Sequence, residues 1–202
     1  MPSIYDLKPA FQTLLRPLVR RLAGAGITAN QVTVLAMLIS LATGGLLYLH
    51  LPYHRVLLLV PAVLFVRMAL NAIDGMLARE HHMQSALGGF LNELGDVISD
   101  SALYLPFALL HAVHGALVVC FVLMAVISEM TGVIAAMLGT GRRYDGPLGK
   151  SDRAFTIGAL ALLLGGGVAP GAWLNVLFIA LNVLLLVTIY NRVRNGLKQL
   201  GP

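Results

Sequence analysis

Apolar residues fill most of the chain in long runs, and short polar segments separate these runs. A helix needs about 20 mostly apolar residues to cross a bilayer. The pattern therefore predicts six transmembrane helices, at residues 30–49, 55–77, 88–112, 115–139, 153–170 and 172–191. Glycine, proline or charge marks each break, and GGGVAPGAW (165–173) favours a turn. Because a backbone in lipid must satisfy its own hydrogen bonds, the predicted fold class is an all-α integral membrane protein.

The first 28 residues differ in character from the apolar runs. Lys8, Pro9, Arg16 and Pro17 interrupt the apolar residues of MPSIYDLKPAFQTLLRPLVRRL. This pattern is not that of a signal peptide and favours an amphipathic helix on the membrane surface. We expect a single domain over residues 1–202, with this surface helix and lead-in at 1–28, a six-helix bundle at 29–194 and a tail at 195–202.

The composition agrees with a membrane protein. Hydrophobic residues make up 58% of the 202 residues and charged residues only 11%, whereas about a quarter of the residues in soluble domains are charged. The mean hydropathy is +0.83. Cys120 is the only cysteine, so a disulfide framework within the chain is excluded.

Lysine and arginine predict the orientation of the spans. With six spans both termini lie on one side, and that side carries 12 of the 14 basic residues. Arg55 falls on the other side, and Arg67 falls within a span. The positive-inside rule assigns the basic side to the cytoplasm, where anionic lipid headgroups are found. Since the net charge of +5 follows from topology, we expect no nucleic-acid partner.

Ionisable residues inside the second and third predicted spans are costly in lipid and indicate a functional site. Arg67, Asn71 and Asp74 are spaced by four and three, which places them on one helix face. A second stripe with a spacing of four consists of Gly88, Asn92, Asp96 and Asp100. Because the linker at 78–87 is short, we expect the two helices to be antiparallel neighbours whose polar stripes face each other.

Carboxylate and amide oxygens that converge in this way suit a hard cation such as magnesium, manganese or calcium, and not zinc. A cation beside a basic region indicates phosphate chemistry, since the metal and the basic side chains share the phosphate oxygens. The basic region is GRRYDGPLGKSDR (141–153), with Arg142, Arg143, Lys150 and Arg153. Ordinary positive-inside charge is the alternative explanation for these four residues.

Two other interpretations of the buried charges stay open. The charges form an intramembrane salt-bridge network, for example between Arg67 and Asp100 or Glu129, or they belong to the proton relay of a transporter. A transporter needs access from both sides of the membrane, whereas the polar residues here gather towards one side. We expect Glu129 on the fourth span to pair with Arg67 as a structural contact.

The spacing of the site residues resembles the signature of the CDP-alcohol phosphotransferase family, D-x2-D-G-x2-A-R-x8-G-x3-D-x3-D. In the same frame this chain has Asn71, Asp74, Gly75, Ala78, Arg79, Gly88, Asn92 and Asp96. Every interval matches, and only the two asparagines differ in type, a variant similar to a bacterial subgroup of CDP-alcohol phosphatidyltransferases. GITANQVTV (26–34) is similar to the family's entry to the first span, and GKSDRA (149–154) resembles a segment of members with phosphorylated acceptors.

The resemblance implies a transfer reaction in phospholipid biosynthesis. The phosphatidyl group of a CDP-linked lipid, usually CDP-diacylglycerol, passes to an alcohol acceptor, and CMP leaves. The family's architecture further implies a homodimer in the bacterial inner membrane, with both termini and the active site facing the cytoplasm.

Roles for the nucleotide-binding residues also follow from the resemblance. Gly75 and Ala78 leave room for a nucleotide, and Arg79 contacts the diphosphate. Gly88 lets its helix approach the substrate. The anion of the acceptor is assigned to the four basic residues Arg142, Arg143, Lys150 and Arg153.

The metal site is where this chain departs from the family. The resemblance implies four aspartates that balance two divalent cations, but here the matched positions supply only Asp74 as a ligand and Asp96 as a ligand or general base. The predicted ligand set is Asn71, Asp74, Asn92, Asp96 and Asp100, for one or two Mg²⁺ or Mn²⁺ ions.

Three interpretations of this departure are open. The site holds one ion, or it holds two with charge from Glu93 or Asp100, or the protein is a regulatory one that binds CDP-lipid without catalysis. We favour an active enzyme with an altered metal site.

Overall fold

The computed structural model describes residues 4–51 and 54–200, with the side chains from residue 10 onwards except that of residue 54. Every regular element within these residues is a helix. The seven α-helices are α1 (Ile4–Gly24), α2 (Ala29–His50), α3 (Leu59–Glu80), α4 (Ala86–Tyr104), α5 (Gly115–Met137), α6 (Lys150–Gly165) and α7 (Trp173–Leu200). A 3₁₀ helix, His54–Leu58, precedes α3, and another, Leu105–Leu109, follows α4. The all-α prediction is therefore confirmed for the described part of the chain.

Four helices in the described residues are long and apolar enough to cross a membrane. They are Ala29–His50, Arg55–Glu80, Gly115–Met137 and Trp173–Leu200. These segments correspond to the first, second, fourth and sixth predicted spans. The protein is thus a helical membrane protein.

The helices at the third and fifth predicted spans, α4 and α6, are shorter than expected. The helix predicted at 88–112 ends at Tyr104, because Pro106 cannot donate a helical hydrogen bond and disfavours helical geometry at the residue before it. α6 has 16 residues, which correspond to roughly 24 Å at the rise of an α-helix. α6 ends at Gly165, and Gly167 has a φ of 105°, so the predicted turn in GGGVAPGAW is confirmed.

Most of the predicted tail at 195–202 is helical. α7 continues to Leu200, and the two remaining residues lie outside the described part. Basic side chains in the last turn of a helix, here Lys198, interact favourably with the helix dipole. The helix therefore extends beyond the predicted apolar span at 172–191 into a polar segment.

The chain divides into two compact units. The first unit comprises Met1–Ala42 and Ala62–Ser99, and the second comprises Thr43–Pro61 and Asp100–Pro202. The first unit therefore contains the whole signature from Asn71 to Asp96, and the second contains Asp100 and the basic segment at 141–153.

Apolar residues of α1, α2 and α3 form the core of the first unit. Its fully or nearly fully buried members are Val19, Ala29, Val32, Ile73, Met76 and Leu77. α2 begins after Thr28, whose hydroxyl accepts a hydrogen bond from the Gln31 amide while the Gln31 side chain accepts one from the Thr28 amide. This reciprocal cap fixes the start of α2. Arg16 of α1 also pairs with Glu80 of α3 at 3.1 Å, on the exposed surface.

Aromatic residues form the centre of the second unit. Phe121 of α5 lies 5.9 Å from Tyr104 and 5.7 Å from Phe178 of α7, measured between ring centroids. Gly165 of α6 packs on the 3₁₀ helix His54–Leu58. A Cβ added to Gly165 would lie 2.8 Å from the Leu58 side chain. Small and aromatic residues together allow close helix packing in this unit.

Candidate metal and diphosphate site

Asp74 is a buried carboxylate on α3 in the first unit. Only 6% of the residue is exposed. The hydroxyl of Thr33, on α2, donates a hydrogen bond of 2.8 Å to Asp74 Oδ2. This contact orients the carboxylate, because one of its oxygens is engaged by a donor from a second helix.

Asp96 on α4 meets two residues of α3. Asn71 Nδ2 donates to Asp96 Oδ1 at 3.3 Å, and Arg67 Nη2 lies 3.6 Å from the same oxygen. The predicted contact between the polar stripes of α3 and α4 is thus confirmed at Asp96. The two aspartates of the signature belong to helices that adjoin in one unit.

Arg79 occupies the space that the small residue at position 75 leaves open. A Cβ added to Gly75 would lie 3.0 Å from Arg79 Nη2, so the guanidinium folds back over the preceding helical turn. Ala78 is half-buried and packs against the apolar core of the first unit. The absence of a side chain at 75 therefore serves the guanidinium directly, which the resemblance did not indicate.

Gly88 lies where α4 comes close to the start of α2. A Cβ at this position would lie 2.7 Å from Asn30 Oδ1. The Ser85 hydroxyl accepts hydrogen bonds from the Gly88 amide at 2.9 Å and from Asn30 Nδ2 at 3.3 Å. The glycine thus admits Asn30, whereas we had expected it to admit substrate. Asn92 is exposed on α4.

Asp100 lies in a different environment from the other predicted metal ligands. It belongs to the second unit, where its Oδ2 is 3.4 Å from Arg153 Nη2. Arg153 is 1% exposed and also pairs with Glu129 at 2.9 Å. The structure therefore places Asp100 in an ion-pair network, with Arg153 in place of the Arg67 that the salt-bridge alternative had named.

Glu129 is the centre of this network in the second unit. Its carboxylate pairs with Arg142 at 2.9 Å, with Arg153 at 2.9 Å and with Arg192 at 3.5 Å. We had expected Arg67 as its partner. The three arginines in these pairs come from α6, α7 and the segment between α5 and α6, so Glu129 connects three parts of the unit.

The segment between α5 and α6 is held by a second acid. Arg143 forms a two-point pair with Asp145, with distances of 2.7 and 2.8 Å, and Asn195 of α7 donates to the same carboxylate at 3.0 Å. The bonded Arg143 guanidinium lowers the pKa of the Asp145 carboxyl below its ordinary value. Lys150 opens α6. Arg142, Arg143 and Arg153 thus have carboxylate partners within the second unit.

The donor set of the first unit fits a hard divalent cation. Asp74 and Asp96 supply carboxylate oxygens and Asn71 an amide, which are ligands typical of Mg²⁺ and Mn²⁺. Within residues 4–51 and 54–200, no group of three or more His, Cys, Asp or Glu side chains is arranged to hold a metal.

We had predicted no role for Thr33 and had expected Arg67 to form a structural contact. Thr33 is the last residue of the GITANQVT segment that was noted only as an entry to the first span. Arg67 and Asn71 are four residues apart, and this spacing predicted that they share a helix face. The spacing did not predict that Arg67 contacts Asp96 on another helix.

The helical membrane fold and the acid, amide and arginine residues on α3 and α4 define a class of protein, the membrane-embedded transferases that act on phosphate esters. A family model described as CDP-alcohol phosphatidyltransferase matches residues 26–190. The chain belongs to the CDP-alcohol phosphatidyltransferase family. It is therefore of an enzyme class that works in phospholipid biosynthesis.

Two relatives are similar in sequence. Inner membrane protein YnbA of Escherichia coli is 45% identical over 195 residues, which cover 96% of both chains. Archaetidylinositol phosphate synthase of Pyrococcus horikoshii is 34% identical over 103 residues, covering 51% of this chain and 52% of the relative. The similarity thus includes an inner membrane protein along its whole length and a phospholipid synthase along about half.

Two solved structures share the fold. Phosphatidylinositol phosphate synthase of Mycobacterium tuberculosis with CDP-DAG bound has a TM-score of 0.74 at 22% identity, covering 89% of this chain and 92% of the other. The same enzyme in complex with manganese and citrate has a TM-score of 0.67 at 22% identity, covering 89% and 87%. At this identity the comparison shows a common fold.

Proposed function

We propose that the protein transfers the phosphatidyl group of CDP-diacylglycerol to the hydroxyl of an alcohol and releases CMP. The observation that carries the proposal is the meeting of α3 and α4 at the signature, where Asn71 and Arg67 contact Asp96. The solved relative with CDP-DAG bound supports the choice of donor lipid. The acceptor is an alcohol, as the family description requires.

Asp74 and Asp96 would hold a divalent cation, Mg²⁺ or Mn²⁺. When bound, the cation neutralises diphosphate oxygens and so stabilises the leaving CMP. The manganese complex of the solved relative supports a divalent ion. Thr33 keeps Asp74 oriented through its hydrogen bond of 2.8 Å.

Residues of the chain would perform the remaining steps. The Arg79 guanidinium contacts the diphosphate beside Gly75. The acceptor oxygen attacks the phosphorus that carries diacylglycerol, the bond from that phosphorus to the CMP oxygen breaks, and Asp96 takes the acceptor's proton. Arg142, Arg143, Lys150 and Arg153 are proposed to bind the acceptor. Their charge favours an acceptor with an anionic group.

The membrane arrangement that fits this function has six spans. In this arrangement α4 and α6 are the fifth and sixth membrane-spanning helices, in addition to the four long apolar helices. α1 lies on the membrane surface, and both termini and the active site face the cytoplasm. The concentration of basic residues on one predicted side supports this orientation. A homodimer in the bacterial inner membrane follows from the family resemblance.

The test uses purified protein with labelled CDP-diacylglycerol, Mn²⁺ or Mg²⁺ and a panel of acceptors that includes polyols, polyol phosphates and lipid hydroxyls. We expect CMP release with at least one acceptor. Asp96→Asn should reduce the rate by at least about 100-fold, the lower range for loss of a general base. Glu80→Gln, which changes an acid that pairs with Arg16 on the exposed surface, is the matched control and should retain activity.

Two results would count against the proposal. Absence of CMP release with every acceptor would reject it. CDP-lipid binding without CMP release, followed by activity in an Asn71→Asp, Asn92→Asp double variant, would instead establish a regulatory protein of the same fold.

A further inference from the structure

We infer that the site operates with a single divalent cation and that the Arg67 guanidinium supplies the positive charge of a second one. This inference rests on the proposed function, because it concerns the metal and charge complement of the same site. It goes beyond that function in assigning Arg67 to the reaction and in fixing the number of ions.

Arg67 is a cation built into the site. It is only 4% exposed, and its Nη2 lies 3.6 Å from Asp96 Oδ1. A buried arginine in a membrane helix is costly unless a carboxylate compensates its charge. The guanidinium therefore occupies one side of the Asp96 carboxylate as a permanent part of the fold.

Asn71 completes the same arrangement. Its amide nitrogen donates to Asp96 Oδ1, the oxygen that also faces Arg67. A carboxylate at position 71 would stand about as close to Asp96 as the amide does, and two ionised carboxylates at that distance repel each other unless a cation lies between them. The amide removes this repulsion by a hydrogen bond, so no metal is needed between positions 71 and 96.

The net charge of the acidic and basic side chains at the site agrees with a single bound divalent cation. Asp74 and Asp96 carry two negative charges and Arg67 one positive charge, which leaves a single net negative charge on these three side chains. One divalent cation already makes the group net positive and attractive to a diphosphate. A second divalent cation would face strong repulsion from both the first cation and the guanidinium in a buried site.

Asp100 does not alter this balance. Its carboxylate pairs with Arg153, which belongs to a network with more arginines than acids. Glu93 is the other acid that sequence analysis had considered for a second ion, and it is half-exposed on α4. A Glu93→Gln variant therefore tests whether this carboxylate binds a second ion.

The direct test is the stoichiometry of Mn²⁺ bound to purified protein with CMP present, measured by electron paramagnetic resonance of free Mn²⁺. We expect one ion per chain for the natural sequence. A triple variant, Arg67→Met with Asn71→Asp and Asn92→Asp, should bind two. Glu93→Gln should leave the value at one.

A single Arg67→Met change should tighten Mn²⁺ binding by roughly tenfold or more, because a like charge beside the cation is removed, while kcat for CMP release falls. Arg67→Lys, which keeps the charge, should recover part of kcat. Arg55→Met is the matched control, since Arg55 is exposed and belongs to the second unit. Its Mn²⁺ affinity and kcat should equal those of the natural protein.

Two bound ions in the natural protein would overturn the inference, and a loss of one of them in Glu93→Gln would identify Glu93 as the missing ligand. Unchanged affinity in Arg67→Met would also overturn it. The ion count of the natural protein does not depend on the folding of any variant. Neither the ion count nor the Mn²⁺ affinity depends on catalytic activity. One bound ion without CMP release from any acceptor would reject the proposed function and leave the ion count standing.

Discussion

At the scale of single residues, close contacts decide which positions of the signature tolerate change. Gly88 and Gly89 are neighbours on α4 with the same intrinsic helix propensity, yet their surroundings differ. A Cβ at Gly88 would lie 2.7 Å from Asn30 Oδ1, whereas nothing lies within 4 Å of one at Gly89. A side chain at position 88 would therefore displace Asn30 of α2, whereas one at position 89 would enter open space.

This difference gives a paired prediction. Gly88→Ala should displace Asn30 and break its bond to Ser85, which is worth about 1 kcal/mol, and should lower both the unfolding temperature and the rate of CMP release. Gly89→Ala should leave both unchanged or raise stability slightly, since alanine favours a helix over glycine. Equal effects of the two changes, measured by thermal unfolding in detergent, would show that the Asn30 contact is unimportant.

At the scale of elements, a buried network ties the helices of the second unit together. Glu129 on α5 is 6% exposed and pairs with arginines of α6, of α7 and of the segment between α5 and α6. Removing one partner from a buried ion pair leaves uncompensated charge, which is far more costly than losing an exposed pair. The packing of these elements against each other therefore depends on the Glu129 carboxylate.

Glu129→Gln should accordingly reduce the free energy of unfolding by about 3–5 kcal/mol. Glu80→Gln is the control of identical chemistry, because Glu80 pairs with Arg16 on the exposed surface. It should have little effect on the unfolding temperature in the same detergent. A Glu129→Gln protein as stable as the Glu80→Gln protein would refute the structural importance of the network.

At the scale of the whole molecule, the number of spans fixes the side on which each loop lies. Four helices qualify as spans by length and composition, and the proposed function adds α4 and α6. With six spans and cytoplasmic termini, the turn before α5 lies outside the cytoplasm. The end of α7 then lies inside it.

Single cysteines introduced into a Cys120→Ser background test this arrangement. A cysteine at His114, which is exposed just before α5, should react with a membrane-impermeant maleimide in intact spheroplasts. A cysteine at Gln199, which is exposed near the end of α7, should react only after lysis. Reaction of both sites in intact cells would contradict the common cytoplasmic position of the termini and the proposed orientation.

Local patterns in the sequence were sufficient for much of the fold. Four long apolar runs became helices, because backbone hydrogen bonding in lipid leaves few alternatives to a helix. The runs at 88–112 and 153–170 were misjudged in length. In the first, Pro106 ends α4 although the apolar composition continues, and in the second Gly165 to Gly167 end α6.

The sequence by itself determined the membrane class, the family and the frame of residues from Asn71 to Asp96, since these depend on residue identity and spacing along one helix. Only the tertiary structure decided the partners. Thr33 meets Asp74 across 41 residues and Asn71 meets Asp96 across 25, and Asp100 pairs with Arg153. Such contacts depend on how separate helices pack and rotate, which spacing within one helix does not specify.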